Sequence, residues 1–544
     1  MQRKIWILVG VLLLSTSALM LVASQTWADF THTSDVLISR AHPDEFCSAV
    51  KPRLATSPNG HQLAVAWVQE TEEEGDCRAG GFAALRWATE ESSYTGWATP
   101  LQVFLGSASE ACVNHVDVAV DSDNVAHVVA TIQDPCDLSS TDNTSVHYRA
   151  CTLSGAEATC SSDTVLASGN PQEDGFYLLE TAIAVSDDGT PFVVYGRRQI
   201  EGNLKSEIWA TSLSSSESWA TPFQLSESTE KAHRPQLDWG RASDSQGYVH
   251  IVWEMHEPAT QQGAATNGKV RYIRCPEDAA NKEACGNSEE SFLSANVYPR
   301  PDIAVSGPDD RVVIVWNRYD TYDQNPPCEE FGLYYDRSDN NGDTFKDPRE
   351  VISDLDPGAL GAATYKYNGT EEEQGTSETE EYISYLRPVV DMDSDGVPVI
   401  AWQAALDTPY EDSYFITTTQ AITWKSTEGI NWQQEDRWGL GGDPDQRYIN
   451  PDIAVASPDY EPDGGMHMVY LKPEWVTWDG GAQGAHRYRV YYSYHGAEQF
   501  VAPTPSPTTD ESIIPTATPS PTPNPHPYQS PNQIYLPLVM RAHS

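Results

Sequence analysis

One phrase recurs seven times along the chain, and a repeat with a period of tens of residues dictates stacked supersecondary units. The clearest copy runs Pro301-Asp302-Ile303-Ala304-Val305, then a turn, then Val312-Val313-Ile314-Val315-Trp316. Another opens with Pro451-Asp452-Ile453-Ala454-Val455 and ends at Tyr470. Weaker copies open at Pro52, Val116, Thr181, Pro235 and Pro388. Each reads as two Val- and Ile-rich strands around a tight turn such as Ser57-Pro58-Asn59-Gly60 or Asp187-Asp188-Gly189. The apolar runs are continuous rather than alternating, which calls for sheets covered on both faces.

A third strand follows in each unit, for example Ala83 to Trp87, Val146 to Arg149 and Gly332 to Tyr335. A weaker fourth is legible in three, at Leu101 to Phe104, Phe223 to Leu225 and Glu350 to Ile352. The expected fold is therefore all-β: a seven-bladed β-propeller of four-stranded antiparallel blades over residues 35–497. The openings are 54 to 87 residues apart, so insertions fall in loops. The seventh unit runs out after its third strand. Asp35-Val36-Leu37-Ile38-Ser39 precedes the first unit as an orphan strand, and the expectation is that it closes the ring by pairing in the last blade.

The repeat resembles the sialidase-like, BNR-repeat propellers of secreted bacterial proteins. Ser338-Asp339-Asn340-Asn341-Gly342-Asp343-Thr344-Phe345 looks like that family's Asp-box, S-x-D-x-G-x-T-W, with Asn340 for the Asp and Phe345 for the Trp. Ser426 to Trp432 is a more damaged version. The resemblance implies a turn between third and fourth strands, remote from any active site.

The ends point outside the cell. Arg3 and Lys4 precede an apolar stretch from Ile5 to Leu14, and Thr26-Trp27-Ala28 offers a cleavage site, so residues 1–28 read as a signal peptide. Nine cysteines fit an oxidising compartment. Cys47 with Cys77 and Cys112 with Cys136 flank the first two hairpins at matching positions, and Cys151 with Cys160 and Cys275 with Cys285 read as local staples, leaving Cys328 over. Residues 501–533 are dense in Pro, Thr and Ser and read as a disordered spacer. The apolar block in 534–544 resembles sorting or attachment tails and is too short to span a bilayer. The expected location is extracellular, secreted or attached to the cell surface.

The net charge of −46 argues against nucleic acid and anionic membranes as partners. Within that acidic chain, the residue before each repeat opening is unusual: Lys51, His115, Glu180, Arg234, Arg300, Arg387 and Asn450. Three consecutive units read Arg-Pro, and Tyr298, Tyr385 and Tyr448 stand two residues earlier in units five to seven. An arginine fork suits carboxylate or sulfate, which makes Arg234, Arg300, Arg387, Lys51 and Tyr298 candidates to bind an acidic glycan or an extracellular protein. The alternative reading is local. Proline holds its predecessor extended, and the arginines pair with Asp302 or another acid.

Sialidases clamp a sugar carboxylate with three arginines, but their F/Y-R-I-P sequence is missing here. Tyr385 or Tyr448 beside Glu180 is the one catalytic constellation that the register offers. An exo-sialidase or related glycoside hydrolase is thus the second reading, and a structural envelope protein the third. Asp391, Asp393 and Asp395 have the D-x-D-x-D-G spacing of a calcium loop, although Val399 stands where a last acidic ligand belongs. A plain Asp-Gly turn competes with calcium there. The histidines form no zinc signature, and nucleotide and serine-hydrolase motifs are missing.

Overall fold

A computed structural model describes most of residues 31–496, apart from connecting segments such as 257–267, 320–330, 351–381 and 439–448. The leader and residues 497–544 lie outside the described residues, as do Tyr298, Tyr448, Cys328, Asp393 and Asp395. The described chain is built of antiparallel strands, with one short 3-10 turn at Lys282–Cys285.

Each repeat folds into its own antiparallel sheet, with the repeat opening as its first strand. These first strands are Ala49–Thr56, Cys112–Val120, Phe176–Val185, Lys231–Arg241, Asp302–Ser306, Tyr382–Met392 and Ile449–Val455. Each touches the first strand of the next unit in chain order, and Ile449–Val455 touches Ala49–Thr56. Units three and four are joined further by one parallel pair, Ser206 with Lys231. Fourth strands that the sequence left unmarked are present at Thr164–Gly169, Glu290–Leu293 and Trp432–Trp438.

The last unit takes its outer strand from the opposite end of the chain. Val36 and Leu37 pair antiparallel with Tyr492 and Tyr491, and Thr31 and His32 pair further along the same strand. The seam is reinforced beyond the ladder. Arg86 of the first unit donates to the carbonyls of Leu37 and Ile38, and Ser39 Oγ accepts from the Val490 amide.

The core lies between sheets rather than within a central mass. One apolar cluster joins units one and two through Leu85, Trp87, Val113 and Val128, and others join two with three, three with four, four with five, six with seven, and seven with one. This explains the continuous apolar runs, since both faces of the second strands are covered. Trp67, Trp253, Trp316 and Trp402, at matching points in four second strands, are each at most 1% exposed.

The segment that resembles the family box folds as a self-bonded turn between third and fourth strands. Ser338 Oγ accepts from the Gly342 amide at 2.9 Å, and Asn340 Oδ1 accepts from the Thr344 amide at 3.0 Å. Phe345 then stacks edge-on against Tyr272 of the preceding unit, with ring centres 4.8 Å apart. Two other junctions repeat this contact: Trp219 on Tyr148 and Trp97 on Tyr492. In all three, the tyrosine hydroxyl shares a 2.8 Å hydrogen bond with a buried histidine, namely His250, His127 and His467.

The disulfides Cys151–Cys160 and Cys275–Cys285 are formed. Cys47 and Cys112 are each disulfide-bonded; the side chains expected as their partners, Cys77 and Cys136, lie outside the described residues.

Candidate functional site

The first strand of every unit is an edge, so its outward amides need partners other than a neighbouring strand. In six of the seven units the residue before the repeat opening sits at or beside a break in that strand's register. The pairing shifts between Val50 and Arg53, Val113 and His115, Leu178 and Thr181, His233 and Gln236, Leu386 and Val389, and Ile449 and Asp452. Such bulges bend a strand and re-aim a side chain.

The backbone at these bulges corrects the expectation of an extended residue before proline. Lys51, Arg234, Arg300, Arg387 and Asn450 all adopt left-handed φ, between 42° and 54°. At Lys51, Arg234, Arg387 and Asn450 the conformation coincides with the bulge, and at all five positions it overrides the bias that the following proline imposes. For a residue with a Cβ it costs about 1–2 kcal/mol at each position. Glycine would remove the strain, yet four of the five positions carry a cation.

These side chains share one space with groups from distant units. Lys51 donates to the Asn114 carbonyl, and its charge is felt by Glu180 of unit three and Arg387 of unit six. Its pKa is lowered chiefly by burial. His115 is pushed well below the usual histidine range by burial, then by Arg53 and Lys51, so it is neutral at pH 7. Arg234 Nη1 donates to Glu254 Oε2 at 2.8 Å, and the Arg300 amide donates to the same oxygen at 3.4 Å. The Glu254 side chain is 1% exposed, so part of the basic ring is matched by a buried acid. Arg234 is thus paired with an acid of its own unit, and Lys51 stands near enough to Arg387 for the arginine's charge to help lower its pKa.

Below this ring lies a second layer. Asp452 Oδ2 accepts from the Leu54 amide, Asp117 from Ile183, Asp238 from Val305, Asp302 from Val390 and Asp391 from Val455, all at 2.7–2.9 Å. Each carboxylate reaches from one unit to the edge amide of the next, so the acids satisfy the unpaired edges. Arg53 takes the equivalent place in the first unit. Its Nε lies 3.8 Å from Asp117, and Asp452, Asp302 and Glu180 also raise its pKa against the lowering effect of burial.

Burial raises the carboxyls. Asp302 and Asp452 reach about 7 and Asp238 about 6, while Asp391 lies well above its ordinary value, with Asp238 adding to the burial effect. Sequence reading missed this layer, although the Asp of Pro-Asp-Ile-Ala-Val was its signal. Asp391, expected in a calcium loop, stands on the first strand, where its oxygens accept from the Val455 and Met392 amides. Among the described residues, no three metal-ligating side chains cluster. For Tyr385 the backbone is described and the side chain is not.

No protein-family model matches the chain, and no curated protein does. Solved structures with weak likeness include the Penicillium chrysogenum alpha-L-arabinanase complexed with arabinobiose, at 11% identity and TM-score 0.42 over 85% of this chain and 98% of that one. The polysaccharide lyase Uly1 aligns at 9% identity and TM-score 0.43 over 87% and 94%. The Trypanosoma rangeli sialidase in complex with sialic acid aligns at 10% identity and TM-score 0.36 over 72% and 58%. All three scores fall below 0.5, and the reading of the site rests on this chain's own residues.

Proposed function

We propose that the chain is a seven-bladed propeller, secreted or held at the cell surface, that binds an anionic glycan or protein ligand at its axial mouth. The observation that carries this reading is the left-handed backbone at Lys51, Arg234, Arg300 and Arg387. A purely structural bulge is served better by glycine, and strain retained at matching positions in four units is characteristic of a built site. The chain's overall acidity makes a cluster of cations a place that attracts an anion over a repelling surface. Cys151–Cys160 and Cys275–Cys285 fit an oxidising exterior.

The test is an array of carboxylated and sulfated glycans probed with the full chain and with the triple Arg234→Ala, Arg300→Ala, Arg387→Ala variant. The reading expects binding by the first and at least a tenfold loss in the second; equal binding by both would sink it. The hydrolase alternative has two carboxylates at the ring, Glu180 and Glu254, and glycoside hydrolysis needs such a pair. Turnover of a fluorogenic sialoside, abolished by Arg300→Ala, would place it first.

A further inference from the structure

Away from the axis, a cavity of about 220 Å³ opens between the fourth strand of unit two and the face of unit three. Phe176, Leu178, Tyr195 and Trp209 make its walls, and Ser168 and Arg197 are its polar groups. Arg197 is held there by its flat faces. Its guanidinium carbon lies 3.6 Å from the centre of the Phe176 ring and 4.9 Å from that of Trp209. The backbone of Gly169 lies so close to Phe176 that a Cβ at Gly169 would come within 2.8 Å of that ring, which fixes the ring in place.

Stacking orients a guanidinium but leaves its in-plane donors unused. Arg197 Nε is buried and makes no hydrogen bond among the described residues. The nearest carboxylate, Glu207 Oε2, lies 3.8 Å from it, too far for a hydrogen bond, and is already engaged by the Trp209 indole at 3.0 Å. Glu207 thus balances charge without occupying the fork. A guanidinium with free in-plane donors, set among aromatic walls, is a receptor for a planar carboxylate carried on a compact ring. Pockets for drug-sized ligands run to about 300–1,000 Å³, so this one has room for a single sugar ring.

We propose that this cleft binds a carboxylated sugar ring of the uronate type, with Arg197 receiving the carboxylate and the aromatic walls packing on the ring. The site is separate from the axial mouth and stands or falls independently of it. Titration calorimetry on the full chain would compare sodium glucuronate, glucose and sodium benzoate. Glucuronate should bind saturably, with glucose at least tenfold weaker. Arg197→Gln should weaken glucuronate tenfold or more, the scale of a lost charge-assisted hydrogen bond. Ser168 is exposed, so Ser168→Trp should fill the cleft and cause the same loss without disturbing the fold. The triple arginine variant of the axial mouth should bind glucuronate unchanged. Absence of glucuronate binding, equal affinity for glucose, retained binding in Ser168→Trp, or binding of benzoate alone would each overturn the proposal.

Discussion

Neighbouring units are joined twice, by opposite chemistries. On the axial side a buried aspartate bonds to the edge amide of the next unit, and further out a histidine–tyrosine pair packs against the next unit's aromatic ring. Three junctions carry both: two to three, four to five, and seven to one. The axial joints put ionisable groups where burial disfavours their charge, and Arg53 alone offsets several of them. At two of the outer joints His250 and His467 are held down to about 3, so they carry no charge at working pH, whereas at the joint between units two and three His127 also bonds the buried Asp121 carboxylate at 3.0 Å. The axial seam is therefore the more heavily loaded with ionisable groups, and the outer seam relies more on ring packing.

Breaking the axial seam at its cation should have the largest effect. Arg53→Leu leaves Asp117, Asp302 and Asp452 without their counter-charge and should cost about 3–5 kcal/mol in denaturant unfolding. The outer seam is best attacked at Gly342. There φ is +78°, and a Cβ would fall 1.7 Å from the Tyr272 hydroxyl. Gly342→Ala should cost about 2–4 kcal/mol through strain and overpacking, with a loss below about 0.5 kcal/mol showing that the turn simply relaxes. Tyr492→Phe removes one hydrogen bond and strands His467 Nδ1, for about 1–2 kcal/mol.

The smallest effect is the most discriminating, because the two seams respond to pH with opposite sign. Asp302 and Asp452 titrate near 7 when folded and near 4 when unfolded, so the folded state binds more protons and their contribution is lost as pH rises from about 4 to 7. His250 and His467 titrate near 3 when folded and near 6.5 when unfolded, so their contribution is lost as pH falls from about 6.5 to 3. Asp302→Asn should raise stability at pH 7.5 relative to pH 5 when compared with the parent chain. An unchanged pH profile would show that the axial acids are solvated rather than buried.

The strands were legible because a Val-Ile run around an Asp-Gly turn is a local signal, as at Asp188-Gly189 between Val185 and Val193. The pairing of Val36 and Leu37 in the last unit was legible from counting, since one unit lacked a strand and one strand lacked a unit. The aspartate layer was not, because Asp452 acts on Leu54, a residue at the far end of the chain. The histidine–tyrosine–aromatic contact escaped for the same reason: His467 and Trp97 belong to different repeats. At Arg234, Arg300 and Arg387 the local rule for a residue before proline gave the wrong conformation, and at Arg234 and Arg387 the bulge geometry of the assembled sheet outranks it. The strain left there was invisible in the sequence and became the main argument for a site.

The borrowed strand at Val36–Leu37 also sets an order of events. A chain that emerges N-terminus first presents this strand before any of its partners exist. Six sheets can form as they appear, but the seventh must wait for Tyr491 and Tyr492, more than 450 residues later. Until then the first unit keeps an uncovered face and the early strand an unpaired edge, the kind of surface that aggregates. The last unit's outer strand can be paired only after nearly the whole sheet-forming region has been made, so completion of that region's synthesis and completion of the fold become the same step.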